Sequence, residues 1–351
     1  MEDVKKNKVR MIIIILVVSI IVFGGVLFYL MGIAASGTEK KGVAIEVKDG
    51  MGGLQILTMM NKQGLINNPL CGKIYVRLAA PEKLQMGTYI FNKTMSLPEM
   101  LKAIGDGDAN YMAKRQLKVL EGITLPEIAQ TIDNTFGIKK EEVLKAWADK
   151  AYLQTLIDKY WFLTSDILKD GIMHPLEGYL YPDTYYVSTE KPTIEEVTNL
   201  MLDGMDKNLT KVKDKISTMD MSVHEFVTFA SIVQAESGQA EDTNMRIAGV
   251  FKNRLDQDMP LQSDITVNYA KKQRRVDVSI SDTKVDSLYN TYKHPGLPIG
   301  PVCSVPLATM EACVNYEKTD YLFFFATKDG TVLFTKTYAE HQKVVEKNKW
   351  Y

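Results

Sequence analysis

VHEFVTFASIVQAES occupies residues 223–237. Phe226, Phe229, Ile232 and Val233 recur at helical spacing and form one apolar stripe. Glu236 stands on the same stripe, four residues after Ile232, three after Val233 and seven after Phe229. A helix over this stretch, with Gly238 as its C′ residue, ends on a carboxylate turned toward apolar surroundings. Desolvation and the negative end of the helix dipole both disfavour the ionised form. A Glu so placed holds its proton near neutral pH and suits general acid catalysis. A Glu that merely ends the helix and points to water fits the same spacing.

The residues that follow favour chemistry. Asn253, Arg254, Gln262, Ser263, Asp264, Thr266 and Tyr269 form a dense polar cluster, and Tyr289, Asn290, Thr291 and Tyr292 come next. Residues 296–301 read GLPIGP, a stiff loop. Aromatic rings that stack on sugar faces, and amides that bond hydroxyls, suit a glycan groove. Other chemistries find little support. His224-Glu225 lacks the second His of a zinc-binding HExxH, and no GxSxG, Walker A or GxGxxG occurs. Neither metal nor cofactor is expected.

Composition bounds the rest. The 351 residues carry 42 Lys+Arg against 43 Asp+Glu, a balance that excludes a basic nucleic-acid binder. Cys71, Cys303 and Cys313 are odd in number and lack CxxC spacing, so small core residues are expected. The apolar residues are unevenly spread. Residues 11–35 form one uncharged run opening MIIIILVVSIIVFGG, longer than the roughly 20 residues that span a bilayer. Lys5, Lys6, Lys8 and Arg10 precede it, which predicts a single-pass transmembrane helix with residues 1–10 cytoplasmic and the remainder extracytoplasmic. A cleaved signal peptide would have a shorter apolar region and a better cleavage site than Ala34-Ala35-Ser36.

Beyond a polar linker at 36–42, the pattern is mixed and reads as α+β. VKDGMGGLQILTMM (47–60) and VLEGITLPEIAQTI (119–132) share a strand, a Gly turn and an amphipathic helix. The pair reads either as LysM-like glycan-binding units or as two generic βα steps. Thr124 and Glu127 form a candidate capping box, and 96–104 is a second capped helix. One helix is expected over 139–161 and another over 241–255. A strand pair is expected around 321–326 and 332–335, with a turn at 328–330.

FASIVQAES, AGVFKNRL, MPLQSDITVNYA, YNTYKHPGLPIGP and the upstream HPLEGYLYPDTYY resemble the YceG-like family of endolytic murein transglycosylases. The likeness runs from about Val43 to Val345 and keeps motif order. It implies a LysM-like module over 43–112 and a mixed α/β catalytic domain over 113–351, with the second LysM-like unit at about 116–135. It places the family's catalytic Glu on Glu236 and a Glu-Ser pair on Glu236-Ser237. It also implies peptidoglycan glycan strands as substrate, and work beside peptidoglycan synthases (penicillin-binding proteins) and the elongation machinery. Relatives often carry an acid where this chain has Gln234.

A hydrolysing glycosidase needs two carboxylates, whereas a lytic transglycosylase works with one. The candidates for a second acid are Asp264, expected to cap local backbone, and Glu241. An amide at Asn253 orients a substrate but is no base. Transglycosylation is therefore the expectation, with muramidase activity and a non-enzymatic glycan-binding scaffold as alternatives.

Overall fold

The computed structural model describes residues 2–237, 241–273, 275 and 278–350. The expected Gly238 cap lies outside them, as does the side chain of Glu241. The chain divides into two compact units. One runs to Gln116 and takes in Tyr186–Glu190, and the other holds Leu117–Tyr185 and the chain from Lys191 onward.

The first unit begins with a single long helix, α1 (Glu2–Ile33). Its residues from Lys6 to Ile33 are long and apolar enough to cross a membrane. Then come β1 (Val43–Val47), α2 (Gly53–Lys62), α3 (Pro69–Ala79), β2 (Gly87–Phe91), α4 (Leu97–Asp106) and the start of β3 (Arg115–Lys118). β1 and β2 pair antiparallel, with Val43 opposite Phe91 and Val47 opposite Gly87. Alternation turns Ile45, Val47, Tyr89 and Phe91 inward, where α2 and α4 cover them with Ile56, Met60, Met100 and Ile104. Each such burial contributes about 1.5–3 kcal/mol. Ser96 and Glu99 close α4 with a capping box. The expected linker is held to this unit: Gly37 N–H donates to Lys93 O at 3.0 Å, and Ser36 Oγ to Gly64 O at 3.1 Å.

The second unit opens with α5 (Leu125–Phe136), α6 (Lys140–Ala146) and α7 (Lys150–Lys159). Thr124 and Glu127 cap α5 as expected. The single helix predicted over 139–161 is two. Asp149 accepts from Tyr152 N–H and starts α7 afresh, while the Trp147 indole is buried and donates to Thr198. β4 (Thr184–Val187) pairs with β3, and the division between the units runs through that pair. Next come α8 (Ile194–Leu209), α9 (Lys213–Ile216), α10 (Val223–Ser237), α11 (Glu241–Asp256), α12 (Asp264–Ala270) and α13 (Leu307–Val314). The chain ends in a hairpin of β5 (Phe323–Ala326) and β6 (Val332–Thr335), followed by α14 (Tyr338–Asn348).

α10 is the axis of this unit. It was expected to bury one stripe, yet from Phe226 to Gln234 every residue is buried. A helix enclosed on all sides must satisfy its own polar groups. Thr228 Oγ1 donates to His224 O, and Ser231 Oγ donates to Thr228 O while accepting from Val302 N–H at 3.0 Å. His224 Nε2 lies 2.8 Å from Ile299 O, an acceptor, so the proton sits on Nε2 and Nδ1 accepts from Tyr179 O–H. All three cysteines are buried and lie outside any disulfide.

Candidate active site

Glu236 sits one residue from the end of α10, where the buried helix reaches the surface. The residue is only partly exposed, and its carboxyl is enclosed by protein. Burial pushes its pKa up to about 7, and the nearby charge of Asp264 adds to the rise. Two effects oppose it. Ser263 Oγ donates to Glu236 Oε1 at 2.6 Å, and Arg254 supplies positive charge. A carboxyl balanced in this way can give up a proton near neutral pH and take it back.

The chain from 260 to 264 builds the wall facing Glu236. Gln262 takes a left-handed backbone with φ 50°, a costly conformation for a residue with a side chain. Its N–H donates to Thr291 O at 3.2 Å, and Ser263 N–H to Thr291 Oγ1 at 3.1 Å. These bonds aim the Ser263 hydroxyl at Glu236 and leave the Gln262 side chain exposed. Asp264 opens α12, but its carboxyl caps no local backbone. It accepts from Tyr292 O–H at 2.7 Å, and burial raises its pKa. Tyr292 is partly exposed beside it.

Other residues expected at the site hold it together from within. Asn253 Nδ2 donates to Thr319 O and Tyr321 O at 2.7 and 2.9 Å, so its amide fastens α11 to the segment before β5. Arg254 donates to Leu322 O and Leu261 O and lies over the Phe323 ring at 4.9 Å. Thr266 bonds Ser263 O and Thr291. Asn290 is fully buried and donates to Thr283 O and Val285 O. Tyr269 and Tyr289 are also buried, with rings 4.9 Å apart; Tyr289 O–H accepts from Met173 N–H. Ser237 Oγ turns back to Val233 O at 2.9 Å. These bonds engage polar atoms of the residues within the protein, while Asn253 and Ser237 stay partly exposed. Gln234 is buried and accepts from Thr309.

Two residues gain a role that the sequence does not give them. Ser263 belongs to the polar cluster, and only the fold shows its hydroxyl on Glu236. Glu177, from HPLEGYLYPDTYY, is sealed in the core. It accepts from Leu125 N–H at 2.9 Å and from Tyr269 O–H at 3.0 Å, and burial pushes its pKa up to about 8. It joins the start of α5 to α12, a link between residues 92 positions apart that no local pattern signals. Among the described residues, no three His, Cys, Asp or Glu side chains converge on a metal site.

Comparison with known proteins places this geometry. The family model described as the YceG-like family matches residues 45–347. A Bacillus subtilis protein named endolytic murein transglycosylase is 33% identical over 310 residues, which is 88% of this chain and 85% of that one. A Streptococcus pneumoniae protein of the same name is 35% identical over 323 residues, spanning 88% of this chain and 58% of its own length. A crystal structure of a yceG-like protein from Listeria monocytogenes has a TM-score of 0.63 and 37% identity, covering 87% of this chain and 100% of that one.

Proposed function

The chain belongs to the YceG-like family, and we propose that it is a membrane-anchored endolytic transglycosylase that cleaves the glycan strands of nascent peptidoglycan, with Glu236 as its general acid. The observation that carries this is the Glu236 carboxyl at the emerging end of a buried helix, held by Ser263 with a pKa near 7. Protonated Glu236 gives its proton to the glycosidic oxygen between N-acetylmuramic acid and N-acetylglucosamine, and the C1–O bond breaks. The resulting carboxylate takes the proton of the muramoyl C6 hydroxyl as O6 bonds to C1. The product carries a 1,6-anhydro ring, the carboxyl regains its proton, and no water is consumed. Gln262 and Tyr292, with exposed surface beside the acid, are the side chains placed to meet the sugar.

Asp264 favours a second reading. It is close enough to Glu236 to raise its pKa, and a second carboxylate can activate water as in a muramidase. Mass analysis of products from purified glycan strands separates the two. Anhydro-muramic ends are expected, whereas reducing muramic ends would establish hydrolysis. Glu236→Gln should lose activity by at least about 100-fold while keeping its fold. Full activity in that variant would remove Glu236 as the acid, and lost cleavage with unchanged glycan binding would exclude a simple adhesive module.

In this reading α1 is a retained anchor with its N-terminus in the cytoplasm. Ile33 is buried in the core of the first unit and Gly32 packs against Cys71, which supports an anchor that stays with the folded module. The β1–α2–α3–β2 order, with the two strands paired, supports the LysM-like assignment of this unit. Peptidoglycan synthases are the proposed partners, since strands must be cut where they are made.

A further inference from the structure

The side of α3 turned away from its unit's core carries Leu70, Ile74 and Leu78, exposed to 62%, 40% and 78%. Lys73 and Arg77 are exposed between them, and α3 contains no acidic residue. The other side holds Cys71 and Gly72, buried against the rest of the unit. A lone exposed Leu is ordinary. Three apolar side chains at four-residue spacing, interleaved with two cations, make a stripe that is both greasy and basic.

Its position beside α1 says what covers it. Asn68 N–H donates to Gly32 O at 3.1 Å, Asn67 Nδ2 donates to Met31 O at 2.8 Å, and Cys71 Sγ lies 3.9 Å from Phe28 O. The first turn of α3 is therefore fixed against the last turns of α1. With Arg10 at the inner boundary, a rise of 1.5 Å per residue puts Phe28 to Gly32 about 27–33 Å across. A hydrocarbon layer about 30 Å thick ends at that level.

We propose that α3 is an interfacial helix: Leu70, Ile74 and Leu78 enter the outer headgroup–acyl boundary, and Lys73 and Arg77 meet anionic lipid headgroups. This rests on α1 spanning the membrane. An 11-residue helix binds lipid weakly by itself. Tethered to a transmembrane segment, its encounter with lipid becomes intramolecular and a weak preference suffices. The effect is to hold the first unit flat on the bilayer instead of letting it swing at the end of α1.

The test uses the full chain bearing a single introduced cysteine at Ile20, Leu70, Ile74 or Leu78, labelled with bimane. The native thiols are buried, and the unsubstituted chain is the blank. Each protein is reconstituted in phosphatidylcholine vesicles with and without phosphatidylglycerol, then quenched by doxyl lipid or by aqueous iodide. The expected result is lipid quenching at all four positions. Shielding of the α3 labels from iodide should be at least about twofold relative to the denatured chain. In phosphatidylglycerol vesicles, the double change Lys73→Gln with Arg77→Gln should lose part of the α3 lipid quenching. Lipid quenching at Ile20 with α3 labels open to iodide would overturn the proposal and leave the anchor standing. Absence of lipid quenching at Ile20 would overturn the anchor, and the proposal with it. Iodide shielding that disappears as protein is diluted with lipid would assign the stripe to a second copy of the chain and overturn the proposal.

Discussion

The Glu236 carboxyl is set by opposing influences that can be removed one at a time. Burial and Asp264 raise its pKa, while Ser263 and Arg254 lower it. Cleavage needs the protonated acid, so activity should fall as pH rises past about 7. Ser263→Ala deletes a hydrogen bond to the ionised form and should move that alkaline limb up by about one pH unit. Asp264→Asn deletes a like charge and should move it down. Rate–pH profiles of the two variants check both signs, and an unmoved limb in both would mean that another group titrates. Much of this site could be read from residue types: a lone carboxylate after an apolar run, followed by a polar cluster, led to Glu236. Ser263 stands in that cluster, but its bond to Glu236 could not be found that way. Its hydroxyl reaches Glu236 across 27 positions because Thr291, further along the chain, pins the turn that carries it.

Among the elements, α10 shows how a pattern can be correct in consequence and incomplete in cause. The spacing suggested one apolar face with Glu236 upon it. The helix is buried on every side, and Glu236 is desolvated because it stands at the mouth of the core. Hydrogen bonds from Thr228 and Ser231 back to the helix make such burial tolerable. α11 supplies the other support. Asn253 and Arg254 lash α11 to the segment before β5. That closeness depends on Gly249, where a Cβ would collide with the backbone carbonyl of Glu317. Backbone cannot swing aside as a flexible side chain can. Gly249→Ala should therefore destabilise the protein by about 1–3 kcal/mol, seen as a lower thermal midpoint. Unchanged stability would show that α11 can shift without cost.

For the whole molecule, Glu177 makes stability depend on pH. In the fold its carboxyl stays protonated up to about pH 8, whereas in the unfolded chain it ionises above about 4.5. The native state thus holds the extra proton through that window, and stability falls as pH rises across it. Glu177→Gln keeps an acceptor for Leu125 N–H and Tyr269 O–H without an ionisable group. Its thermal midpoint should decline less between about pH 5 and pH 8, and an equally steep decline would assign the effect elsewhere. The order of elements, the apolar span, the caps of α4 and α5 and the terminal hairpin were legible locally, since each rests on contacts within a few residues. The motifs carried the family as well. What only the tertiary structure decided are the contacts between distant positions: Ser263 on Glu236, Glu177 under α5, and α3 against the end of α1. Residue type states what a side chain is able to do. Whether Tyr269 or Asn290 meets a sugar or a neighbour inside the loop depends on which surfaces the fold encloses, and that is a property of packing across the chain.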